Sequence, residues 1–79
     1  MKANVKVTLE ETIKKHEGLT RNAVAVEGKI RPATIGELCR NESKAISFDT
    51  LQRIVNALNI LTGDKHTIED IITIEYDEE

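Results

Sequence analysis

At 79 residues the chain is long enough for one domain and too short for a second hydrophobic core. Its single cysteine excludes an internal disulfide, no apolar run approaches the roughly 20 residues that cross a bilayer, and no secretory signal precedes the first charged residues, so a soluble cytoplasmic protein is expected. One Tyr, one Phe and no Trp leave no aromatic platform for single strands or RNA, which makes duplex DNA the better nucleic-acid expectation, although the formal net charge of -3 speaks against any nucleic acid until it is divided along the chain.

Val5 and Val7 alternate with Asn4 and Lys6, a short strand pattern. A first helix is expected from Thr8. Thr8 and Glu11 have the spacing of a capping box, Leu9 and Ile13 recur at helical spacing, and Gly18 supplies the stop. Thr20 is an N-cap for a short second helix through Ala23, Val24 and Glu27, which Gly28 punctuates. Pro32 opens a third helix, because proline suits the first helical position and pushes Arg31 out of helical geometry. Within it Ile35, Leu38 and Cys39 share one face. Pro32, Ala33, Gly36, Glu37 and Arg40 lie opposite, a face of little bulk that suits close approach to a partner. Ser47 is the N-cap of the most strongly patterned helix, which carries Leu51, Ile54, Val55 and Leu58 and has a plausible exit at Asn59. Thr67 and Asp70 frame a further helical turn, after which Ile72, Ile74 and Tyr76 alternate with Thr73 and Glu75 as a second strand. The terminal strands are expected to pair with each other or with copies in a second chain, because an unpaired edge exposes backbone donors and acceptors. Ile35, Leu38, Leu51, Ile54, Val55 and Leu58 form the expected core.

The stretch from Thr20 to Asn41, TRNAVAVEGKIRPATIGELCRN, therefore has the layout of a DNA-reading helix-turn-helix. Ala25 is the small residue that lets the second helix of the pair approach, and Ile30, Ile35 and Leu38 anchor either side of the turn. At these residues the chain resembles the phage Cro and lambda-repressor-like (XRE-type) helix-turn-helix family. The likeness continues through SKAISFDTLQRIVNALNI and covers roughly Leu9 to Ile60. The family's small residue, turn residue and two apolar residues fall on Ala25, Lys29, Ile35 and Leu38. Lys29 is a departure: glycine is commonest there because the turn often needs a positive φ, a conformation costing other residues about 1 to 2 kcal/mol. Either the turn shifts onto Gly28, or Lys29 accepts the strain and gains a phosphate contact. The resemblance implies a mainly α, compact four- to five-helix domain spanning residues 1–79. Its helical core lies at about 8–60, with a small N-/C-terminal β-strand pair and an acidic strand and tail at 67–79.

Divided along the chain, the charge supports this reading. Residues 20–44 carry five cations against three anions, a local +2, whereas residues 64–79 hold Lys65 against seven acidic groups, a local -6. Screening limits exposed charges to about 8 Å at physiological salt, so a distant acidic tail does not cancel the field at the helix pair. The resemblance and the helix register make Arg31, Pro32, Ala33, Thr34, Gly36, Glu37 and Arg40 the base-reading candidates. Ala33 suits a thymine methyl, Glu37 suits cytosine N4 or an alternative pairing with Arg40, and Arg40 suits guanine or phosphate. Arg21, Lys29, Asn41, Ser43, Lys44 and Ser47 are the phosphate candidates, and Ile72, Ile74 and Tyr76 the candidate dimer surface. Cys39, His16 and His66 lack the number and spacing of a metal site, and Cys39 reads as a small core residue. The pairs Glu10/Glu11 and Glu69/Asp70 show no acid/base context, so neither an enzyme, a metal nor a cofactor is expected. Asp77, Glu78 and Glu79 read as a solvated end. The expected function is a homodimeric, sequence-specific transcriptional regulator that represses by occupying duplex DNA. The alternative is an antitoxin-like interaction module whose acidic C-terminal segment docks onto a protein partner.

Overall fold

A computed structural model describes residues 1–78. Its elements run β1 (Lys2–Val7), α1 (Leu9–Lys14), α2 (Arg21–Gly28), α3 (Pro32–Cys39), α4 (Phe48–Thr62), a short 3-10 turn (Ile68–Asp70) and β2 (Ile72–Asp77). Glu79, assigned above to the solvated end, lies outside the described residues.

Among the described residues, four helices and a two-stranded sheet make a small, mainly α fold, as the pattern of caps and apolar periodicity implies. Leu9, Ile35, Ile54, Leu58, Ile71 and Val24 are the largest fully buried side chains, so every helix and the entry to β2 contribute to one core. Five of the six expected core residues are buried, and Val55 packs at the margin.

The middle of the chain is capped locally. Thr20 accepts from the N–H of Ala23 at 3.0 Å, and Ser47 accepts from that of Thr50 at 3.0 Å. At the turn framed by Thr67 and Asp70, the Asp70 carboxylate accepts from the Thr67 N–H at 3.0 Å. Pro32 sits in the first turn of α3, with Arg31 extended before it at ψ 134.

Three boundaries differ from expectation. Thr8 does not cap α1 with its side chain: its hydroxyl donates to Glu69 O at 2.8 Å, its N–H donates to Ile71 O at 2.7 Å, and the Thr12 hydroxyl reaches Asp70 O at 2.6 Å. The carbonyls leading into β2 thus claim the threonines, and the start of α1 is tied to a segment about sixty positions away. Helix α1 also closes at Lys14, so Gly18, at φ 85, belongs to the following turn instead of ending the helix. Helix α4 continues past Asn59 to Thr62 and ends at left-handed Gly63. Asn59 can remain helical because its side-chain oxygen accepts from the N–H of His66 at 2.8 Å, pinning the loop beyond the helix.

At the turn between α2 and α3 it is Lys29, not Gly28, that takes the positive φ. Lys29 is left-handed at φ 56, and the chain closes through Ile30 N to Ala25 O at 2.9 Å and Lys29 N to Val26 O at 3.2 Å. Gly28 stays helical for another reason: a Cβ there would lie 2.9 Å from Ile30 Cδ1 and 3.3 Å from the Arg53 carbonyl. The glycine lets α2 approach α4, and the residue after it carries the strain of the turn.

β1 and β2 are antiparallel, with Val7 opposite Ile72, Val5 opposite Ile74 and Ala3 opposite Tyr76. Paired residues share a face, so one side of the sheet is apolar. Only its inner end, Val7 and Ile72, packs against the core. The outer end projects, in keeping with overall extents of 40 × 22 × 19 Å.

Candidate nucleic-acid interface

Helix α3 is held from behind. Ile35 and Leu38 are buried, while Pro32, Ala33, Glu37 and Arg40 are exposed on the other side. No side chain caps the N-terminus of α3, where Pro32 lacks an N–H and the N–H of Thr34 bonds Arg31 O at 3.0 Å, and the exposed Pro32 and Ala33 lie at the positive end of the helix dipole. Thr34 is half-buried at the edge of this face. Gly36 lies on the face yet is buried, because the guanidinium of Arg40 covers it.

The candidate phosphate contacts divide by what already engages them. Lys29 and Arg31 flank the entry to α3, both exposed, and Lys44 is exposed in the loop that follows the helix; none of the three is in an ion pair among the described residues. Arg21, in the first turn of α2, donates from Nε to Glu10 at 2.9 Å. Asn41 is left-handed at φ 59 and forms the exit of α3, and Ser43 is half-buried. Asn41, Ser43 and Lys44 share a shallow depression with Val5, Val7 and Ile72, so the loop after α3 leans on the apolar side of the sheet. The Ser47 hydroxyl is committed to Thr50, which it accepts from and donates to, leaving it less free for phosphate than the sequence suggests.

Charge partners cross between elements in ways that spacing within one helix does not reveal. Glu37 does not pair with Arg40: Arg40 Nε instead donates to Glu42 Oε1 at 3.0 Å. The hydrogen bond from Arg21 holds the Glu10 carboxyl down at about 2 against some desolvation, and Glu10 in turn raises the Arg21 value. Cys39 faces the same carboxylate. Burial, then the nearby Glu10 carboxylate, push the thiol up to about 11, which keeps it protonated and poorly nucleophilic. Glu10 and Glu42 are the site-supporting residues that the sequence reading missed, and only a three-dimensional fold places them.

Of the candidate dimer residues, Ile74 and Tyr76 are 51% and 60% exposed, whereas Ile72 is half-buried against its own core. Phe48, at 89% exposure, and Ile68 extend the apolar surface and were also missed. Phe48 had a readable signal, since it stands three positions before Leu51 and seven before Val55 on α4.

Among the described residues, no group of three or more His, Cys, Asp or Glu is placed to hold a metal ion, and no helix is long and apolar enough to cross a membrane. Comparison with curated proteins and with solved structures returned no match. A family model described as helix-turn-helix matches residues 10–64, from the second residue of α1 to just beyond α4, and so spans the helix pair and the helices that support it. The chain belongs to the Cro- and phage-repressor-type (XRE) helix-turn-helix family of DNA-binding transcription regulators.

Proposed function

We propose that residues 1–79 act as one sequence-specific duplex-DNA-binding unit, a homodimeric repressor that works by occupying its operator. The observation that carries this reading is the first turn of α3: exposed, without a side-chain cap, anchored by Ile35 and Leu38, and flanked by Lys29 and Arg31. A major groove about 12 Å wide admits such a helix. With the turn inserted, Ala33 and Glu37 face base edges, while Lys29, Arg31 and Lys44 lie near phosphates. A bound dimer then excludes polymerase. One helix reads only a few base pairs, so two copies on a symmetric site, with half-sites about 34 Å apart, supply the remaining specificity.

Selection of bound sequences from a random duplex library tests this directly. The expected result is a two-fold symmetric consensus, with affinity falling steeply between about 50 and 200 mM salt as phosphate-bound cations are released. Absence of any consensus, together with a flat salt response, would reject the reading. A second reading has its own support in the exposed acidic residues of the C-terminal segment, among them Glu69, Glu75, Asp77 and Glu78, which favour docking to a basic protein. It predicts no salt-dependent binding to duplex DNA.

A further inference from the structure

Gly36 poses a local problem. Glycine is the poorest helix former after proline, and α3 has only eight residues. Its backbone does not need glycine, because the positive-φ glycines of the chain are Gly18 and Gly63. No neighbouring element requires it either: the three atoms nearest to a Cβ built at Gly36 all belong to Arg40, with Nη1 at 3.0 Å and Cζ and Nη2 at 3.7 Å. The missing side chain makes room for one guanidinium and nothing nearer.

Arg40 is held in that seat from its other end. Asn41 turns left-handed after α3, so that Asn41 N bonds Leu38 O at 3.0 Å and Glu42 N bonds Glu37 O at 2.8 Å. This closure folds Glu42 back beside the helix, where Oε1 accepts from Arg40 Nε at 3.0 Å. The side chain therefore runs toward the N-terminus of α3, the direction helix geometry favours, and lies over the face that also bears Ala33 and Glu37. The pair is half-exposed on both sides, so it contributes little to stability. What it fixes is orientation: with Nε occupied, the Nη1 and Nη2 edge is left for another acceptor.

We propose that Gly36, Arg40 and Glu42 form a prepositioned guanine reader, in which Arg40 makes the contact and the other two are positioning residues. Its two Nη groups match the O6 and N7 acceptors on the major-groove edge of guanine. Holding a flexible arginine in its bound geometry beforehand reduces the ordering cost of binding. Gly36 thus acts by what it leaves open and need not touch a base.

The inference rests on the DNA-binding reading above, and the test separates the two. Library selection and competition binding are run on the wild-type chain, Arg40→Ala, Gly36→Val, Gly36→Val with Arg40→Ala, Glu42→Ala and Glu42→Gln, each with a thermal melt. The wild type is expected to select guanine at one position of each half-site, and Arg40→Ala to lose about tenfold of that preference, as expected for one bidentate pair. Gly36→Val should relax the same position and add nothing to Arg40→Ala there. Glu42→Ala should relax it partly, and Glu42→Gln, which keeps the acceptor oxygen, should restore it. Retained guanine preference in both Gly36→Val and Glu42→Ala overturns the proposal, as does a Gly36→Val loss that adds fully to that of Arg40→Ala, which would indicate a direct clash with DNA. A wild-type consensus without an Arg40-dependent guanine removes this inference alone, whereas no consensus at all removes both. If Gly36→Val fails to fold, the two Glu42 variants decide the matter.

Discussion

Lys29 holds a left-handed backbone, φ 56, a conformation that favours glycine, and Gly28 beside it is helical. The two roles have been separated. Gly28 is needed where α2 meets the Arg53 carbonyl, and Lys29 bears a turn that an L-residue adopts at a cost of about 1 kcal/mol or more. Lys29→Gly should therefore raise stability by up to about 1 kcal/mol in urea denaturation. It should also weaken DNA binding and reduce the salt slope by about one ion, if Lys29 meets a phosphate. Unchanged affinity and slope would remove Lys29 from the interface. Gly28→Ala should do the opposite to stability, lowering it by about 1 to 3 kcal/mol through overpacking against Ile30 and Arg53. Glu10 gives a pH signature at the same scale. Its folded value, about 2, lies below the ordinary 4.5, so the stability it contributes is present above about 4.5 and is lost as pH falls toward 2. A stability profile of Glu10→Gln should be flatter than wild type over that acid range; two parallel profiles would mean that the Arg21 pair is without thermodynamic effect.

At the scale of elements, what the sequence revealed and what it concealed follow the range of the interactions. Thr20, Ser47 and Thr67 were legible as caps because each bonds a group three residues away, and the register of α3 was legible because Ile35 and Leu38 repeat on one turn. Thr8 had an equally good local pattern, but its hydroxyl was captured by Glu69 O from a distant segment. Asn59 similarly resembled an exit until its side chain found His66. The partners of Arg21 and Arg40 were illegible for the same reason: Glu10 belongs to another helix, and Glu42 arrives only through the left-handed bend at Asn41. The tie between α1 and the approach to β2 leads to a prediction at this scale. Thr12→Val removes the donor to Asp70 O and leaves a carbonyl with fewer partners in a buried place, so it should destabilise the fold by about 1 to 3 kcal/mol. Hydrogen exchange should accelerate in β1 and β2 more than in α4; uniform acceleration would show that the threonine supports the whole core and not the junction of the two ends.

For the whole molecule, the unequal burial of the sheet carries the most weight. Val7 and Ile72 anchor its inner end, but Val5, Ile74 and Tyr76 continue the same face into solvent. Ile68 lines one depression with Val5 and Ile74 and an adjoining one with Phe48 and Val55, which joins the sheet face to the start of α4. A contiguous apolar surface of this kind on a small protein marks an interaction site, and the symmetric operator proposed above requires a second copy of the chain. Among the described residues the sheet has two strands, so each is hydrogen-bonded to another strand along one edge. Ile74→Glu would place a charge at the centre of that contact while changing a side chain that is already half in water, so the folded monomer should melt close to wild type. In light scattering, the wild type should approach twice its 8.9 kDa mass with rising concentration, and Ile74→Glu should remain at the monomer mass. On DNA, the variant should lose most of its advantage for a full two-fold site over a single half-site while keeping its half-site affinity, because the depression that Ile74 lines includes no residue of α3. Dimer mass in Ile74→Glu would place the contact elsewhere; loss of half-site affinity as well would mean that the sheet and the reading helix are not independent.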